Sequence, residues 1–139
     1  MSDPLRVIHT VAAVIVDGED RVLVVRKHGS STFIQPGGKR DAGEDSLATL
    51  ARELEEELGV TLLAGSARRL GQFEAPAVNE PGCTVCGEAF LVQVHGTPVA
   101  AAEIAELAWM PIDPPAGFPL APLSREHILP AARRQLADN

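Results

Sequence analysis

The sequence predicts an α+β domain with a mixed sheet, one central helix and one terminal helix. Three observations predict it. Two runs rich in β-branched residues, VIHTVAAVIV (Val7 to Val16) and RVLVVR (Arg21 to Arg26), open the chain as strands. Leu47, Leu50, Ala51, Leu54 and Leu58 recur at spacings of three and four, which draws one apolar stripe on a helix. The stretch from Ser124 to Ala137 reads as a final amphipathic helix, interrupted or kinked by Pro130. A length of 139 residues suits one domain spanning 1–139, and a hydrophobic content of 45% is enough to build its core.

Between the first two strands, Asp17-Gly18-Glu19-Asp20 is a turn signal, so Arg21 to Arg26 is expected to return alongside the first strand as a hairpin. Lys27 to Thr32 is a polar loop. Phe33-Ile34-Gln35 is a short strand stopped by Pro36, which cannot donate to a ladder, and Pro36-Gly37-Gly38 is a loop free to take positive φ. Asp45 or Ser46 caps the central helix, which runs to Leu58 and is stopped by Gly59. Short strands are expected near Val60–Leu63, Arg69–Phe73, Ala89–Val94 and Leu107–Met110, with a long loop from Glu74 to Gly87. The segment PIDPPAGFPLAPL wraps toward the last helix.

The composition excludes several classes. A formal net charge of −7 argues against long nucleic acid, whose binding runs on phosphate neutralisation, but not against a small phosphorylated ligand. No apolar run is long enough to span a bilayer, and MSDPLRVIHT lacks the basic start and apolar core of a signal peptide, so a soluble cytoplasmic protein is expected, without a membrane partner. Cys83 and Cys86 form a CxxC, yet no second CxxC exists and His9, His28, His95 and His127 stand singly. They read as strand or loop cysteines without metal or redox role. Phe90 and Trp109 lie in apolar strands and are assigned to the core, as are Phe33 and Phe73, although the last two are also placed to line a pocket.

The central helix crowds Glu53, Glu55, Glu56 and Glu57 into about one and a half turns. Like charges three or four apart repel by about 0.2–0.5 kcal/mol per pair. A run of glutamates alone is most often a solvated face. Here Glu53, Glu56 and Glu57 share one side, Glu44 lies just before the helix, and the Gly37-Gly38 backbone leads into it. Converging carboxylates beside a carbonyl-bearing loop make a site for a hard cation, magnesium, manganese or calcium rather than zinc.

From Gly38 the chain reads glycine, five residues, Glu44, seven residues, Arg52-Glu53-Leu54, one residue, Glu56-Glu57, one residue, Gly59-Val60. At every fixed position this resembles the signature of the Nudix hydrolases. The preceding strands, the PGGK lead-in and the segment EIAELAWMPID also look like the flanks of that family, so the resemblance extends from about Val7 to Leu136. One departure is Gln35, where the family often has an apolar residue. The resemblance implies a mixed sheet sandwiched between helices, and hydrolysis of a diphosphate bond in a nucleoside diphosphate joined to another group, with magnesium, or manganese as a substitute.

The same resemblance implies roles. Glu56 and Glu57 match the principal metal ligands, the Gly38 carbonyl a backbone ligand, and Glu44 an outer or additional one. Glu53 matches a second-metal ligand or a base, and Arg52 the arginine that orients a glutamate through a bidentate pair. A further base or ligand is expected from Glu103, Glu106, Glu80 or Glu88, with Glu103 favoured for its place before Trp109. Arg26 and Lys39 are candidate phosphate contacts, and Asn79, with Glu80, a candidate for reading the base or sugar. Intact motif glutamates set this reading above a non-catalytic nucleotide sensor, and EF-hand spacing is absent. Oligomeric state is left open, a homodimer included.

Overall fold

The computed structural model describes residues 6–138 apart from Asn79. The strands are β1 (Arg6–Ile15), β2 (Arg21–Lys27), β3 (Gly37–Lys39), β4 (Thr61–Leu62), β5 (Arg68–Pro76), β6 (Cys83–Val92), β7 (Val94–His95) and β8 (Ile104–Pro111). Helix α1 spans Ser46–Leu58, and α2 (Leu129–Ala137) follows a wide π-helical segment, Leu123–Ile128. The main sheet is mixed, in the order β3-β1-β6-β5, with β1 and β6 parallel and the other pairs antiparallel. β2 pairs with β8, and β4 with β7.

Alternation along the strands builds two cores. Val11, Ala13 and Ile15 of β1 and Leu23 and Val25 of β2 pack toward Leu50, Leu54 and Leu58 of α1. Ala12, Val14, Val22 and Val24 face the other way, onto Leu123, Ile128, Leu129 and Ala132. The result is a sheet layer between two helical layers, as the family resemblance implies. Burying each of the three α1 leucines, all 0% exposed, contributes about 1.5–3 kcal/mol, so their sum outweighs the glutamate repulsion on the opposite face. The helix begins at Asp45, whose Oδ1 accepts from the Ala48 amide at 2.8 Å, and ends at Gly59 in the left-handed conformation, φ 68°.

Several expectations are corrected. The Asp17 turn forms, its carboxylate accepting from the Glu19 and Arg21 amides, but the backbones flanking it pair only at the Val16–Val22 bridge, because β2 pairs along its length with β8. Gly37 and Gly38 are not a loop: they form β3 against Val11 and Ala12. Phe33 and Ile34 make only isolated bridges, to Leu120 and Val25. Most of the expected loop from Glu74 to Gly87 is strand, since β5 runs on to Pro76 and β6 starts at Cys83, so both cysteines sit in β6 as free thiols. Trp109 is 37% exposed on β8 rather than core, whereas Phe90 and Phe33 are buried. Pro130 falls in the first turn of α2, after the switch from π-helical to α-helical winding. Among the described residues no helix is long and apolar enough to cross a membrane.

Candidate active site

The acidic face of α1 lies against β3, and that contact requires glycine. Gly37 has φ 145°, and a Cβ there would stand 1.9 Å from the Val11 carbonyl oxygen. At Gly38 a Cβ would come within 2.5 Å of the Glu53 carboxyl carbon. With no side chains between them, the Gly37 amide donates to Glu57 Oε1 at 3.1 Å, and Glu53 rests on the Gly38 backbone.

Arg52 organises the rim. Its Nε and one terminal nitrogen donate to the two oxygens of Glu44 at 2.8 and 3.0 Å, and the other terminal nitrogen donates to Glu53 Oε1 at 2.8 Å. A further bond reaches the Lys39 carbonyl at 3.2 Å, which ties helix to strand. Glu44 also accepts from the Asp41 amide and the Thr49 hydroxyl. The guanidinium, with these donors, holds the Glu44 carboxyl down at about 2, and Arg52 is in turn raised by its bonds to Glu44 and Glu53. Planar bidentate pairing is what a lysine cannot reproduce. Arg52→Lys should therefore keep the charge yet lower kcat by about 10–100-fold in steady-state assays, with a smaller change in KM. An unchanged kcat would remove Arg52 from the machinery.

Glu53 and Glu57 are pushed the other way. Glu57 is 4% exposed, and burial raises its carboxyl to about 7 against the opposing pull of the Gly37 amide. Burial also raises Glu53, opposed by Arg52 and assisted by the negative charges of Glu56 and Glu103. Glu56 is more open, its side chain 56% exposed and 3.7 Å from Arg52. Across the site, Glu103 pairs with Lys27 Nζ at 3.7 Å.

Part of this constellation borders a cleft of about 380 Å³, although Glu44, Arg52 and Glu56 are not among its lining residues. Gly38, Lys39, Glu53, Glu57 and Glu103 line it, as do Lys27, Asp41 and Glu80. Its other walls are apolar, from Ile8 and Val85 of the sheet to Ala121, Leu123 and Ile128 near the π-helical segment, with Gln35 and Ser124 among them. Arg26 does not line the cleft: it donates to Glu106 at 3.1 Å and to the Ser30 carbonyl at 2.9 Å. Asn79 lies outside the described residues. Lys27, Gln35 and Ser124 escape a reading by motif, because only the fold brings them to the cleft.

The donor set suits a hard cation. Oxygen ligands are available from Glu53, Glu56, Glu57 and the Gly38 carbonyl, and Glu57 is a buried carboxylate whose hydrogen-bond donor is a neutral amide. Among the described residues no three acid, histidine or cysteine side chains already converge on one point, and Glu53 Oε1 accepts from Arg52.

Known proteins resemble this chain in sequence and in fold. The family model described as the NUDIX domain matches residues 7–135. The 8-oxo-dGTP diphosphatase of Haemophilus influenzae is 35% identical over 75 residues, which cover 51% of this chain and 55% of that protein; the match thus spans little more than half of the relative. The solution structure of the E. coli ORF135 protein superposes with a TM-score of 0.77 at 26% identity, over 97% of this chain and 94% of that one. The MutT protein of Methanosarcina mazei Go1 gives 0.78 at 24% identity, over 96% and 99%, a likeness of fold. A signature helix packed on a glycine strand, a sandwich of the same architecture and a family model over nearly the whole chain lead to one conclusion: this chain belongs to the NUDIX domain family.

Proposed function

We propose that the protein is a divalent-metal-dependent hydrolase that cuts a diphosphate bond in a nucleoside diphosphate joined to another group. The observation that carries this reading is the cleft itself. It is lined by the buried carboxylate of Glu57, the half-buried Glu53 and two lysines, Lys27 and Lys39, together with apolar side chains that suit a heterocycle. Glu56, Glu57, Glu53 and the Gly38 carbonyl would hold magnesium, with manganese as a substitute. Bound there, the cation supplies neutralisation of the diphosphate and acidification of water. Lys27 and Lys39 line the cleft, and on this reading they contact phosphate oxygens. Glu103, which lines the cleft and whose charge is felt by Glu53 and Glu57, would accept a proton from water on this reading. Glu44 acts through Arg52, because both of its oxygens are already engaged there.

The test is a hydrolysis panel with magnesium, resolved by chromatography. It includes 8-oxo-dGTP, the nucleotide in the name of the H. influenzae relative, along with ordinary nucleoside triphosphates, nucleotide sugars and dinucleotides. Cleavage of at least one member is expected, abolished by chelator and reduced more than about 100-fold in Glu56→Gln. If every member binds and none is cut, the protein is a nucleotide-binding module instead.

A further inference from the structure

Gln35 is 5% exposed and lines the cleft. Its Nε2 donates to the Ala13 carbonyl at 3.1 Å. A carbonyl oxygen can only accept, so the nitrogen must be the end that faces it, and the orientation of the amide is fixed. The other end, Oε1, is buried and has no hydrogen-bond partner, alone among buried side-chain nitrogens and oxygens of the described residues. The charged groups lining the cleft are engaged: Glu57 by the Gly37 amide, Glu53 by Arg52, Lys39 by Glu80, Lys27 by Glu103. Gln35 is thus a built acceptor held ready for something outside the protein.

Its surroundings say what that is. The cleft that Gln35 lines also takes apolar side chains, Val85, Leu123 and Ile128 among them, which suit a flat ring rather than a phosphate. An acceptor fixed at one end reads a donor and rejects an acceptor presented in its place. We propose that Gln35 Oε1 accepts a hydrogen bond from an N–H on the heterocycle of the substrate and so sets which base the protein takes. The proposal rests on the hydrolase reading for its substrate class, while the acceptor itself stands on the geometry of Gln35. A ring that brings an N–H to Oε1 supplies the bond that the protein leaves unmade. A base lacking the donor is rejected because the amide oxygen is then left unpaired.

The experiment deletes one donor at a time from the ligand. Guanine nucleotides are compared with hypoxanthine and 1-methylguanine ones, adenine with purine, and cytosine with 2-pyrimidinone. The kcat/KM of each triphosphate and the calorimetric affinity of each monophosphate are measured for the natural protein and for Gln35→Met. For the base that is preferred, deleting the donor should cost roughly 10–100-fold in the natural protein and less than about twofold in the variant. Equal ratios in the two proteins overturn the proposal and leave the hydrolase intact. Absence of cleavage with a donor preference that depends on Gln35 in binding upholds the proposal and removes the hydrolase. Should Gln35→Met not fold, the ligand series on the natural protein still decides: if no donor deletion costs more than about twofold, the amide reads nothing.

Discussion

Glu57→Gln should unfold at a higher temperature than the natural protein in metal-free buffer near about pH 8, while its hydrolysis falls more than about 100-fold. The sign follows from burial. The Glu57 carboxyl is raised from 4.5 to about 7, so the folded state favours the protonated form. Its stabilising contribution is fully present below the unfolded value and is lost as pH rises through about 7. The loss is of order 3 kcal/mol, one pKa unit being about 1.4 kcal/mol. Glutamine carries no charge to lose, and its carbonyl can keep the bond from the Gly37 amide. Melting curves should therefore diverge as pH rises from about 5 to about 8, with the variant on top. A gap of the same size at both ends of that range would refute the assignment of Glu57 as an uncompensated buried acid. Magnesium should narrow the gap at the upper end, because a bound cation offsets the charge.

The second large effect is structural. Gly37→Ala places a methyl group 1.9 Å from a backbone oxygen in a φ region that only glycine occupies with ease. Neither Val11 nor β3 can yield without breaking the β1–β3 ladder. A cost of roughly 3–5 kcal/mol is expected, a fall on the order of 10 °C in Tm, with loss of hydrolysis because Glu57 loses its amide donor. Gly18→Ala is the control, since nothing lies within 4 Å of the added carbon there. If the two variants melt alike, β3 is not held as described.

These two positions also show what a sequence can and cannot tell. Glu57 was legible because a helix fixes the relation of residues three and four apart, and both ends of α1 carry their own signals in Asp45 and Gly59. Strand β3 was not, because Gly-Gly-Lys has neither alternation nor strand propensity; pairing with β1 alone makes it a strand. The β1–β2 hairpin misled for the same reason, since the turn was real but β8 competed for β2. Trp109 carries the pattern of a buried strand residue and lies open on one of the two strands of the β2–β8 ribbon. In the candidate site the local cluster Arg52–Glu57 could be read, whereas Lys27 and Gln35 meet it only through tertiary folding.

The parallel pairing of β1 with β6 bears on how the chain is made. Its register joins Arg6 to Cys83 and Ile15 to Val92, so the first strand gains its central neighbour only after more than half of the chain has been synthesised. Contacts this far apart in sequence slow folding. Until they close, TVAAVIV presents an unpaired apolar edge on the nascent chain, a template for association with other copies. Substitutions that weaken β6 should then reduce the yield of soluble protein during expression more than they reduce the activity of the molecules that fold.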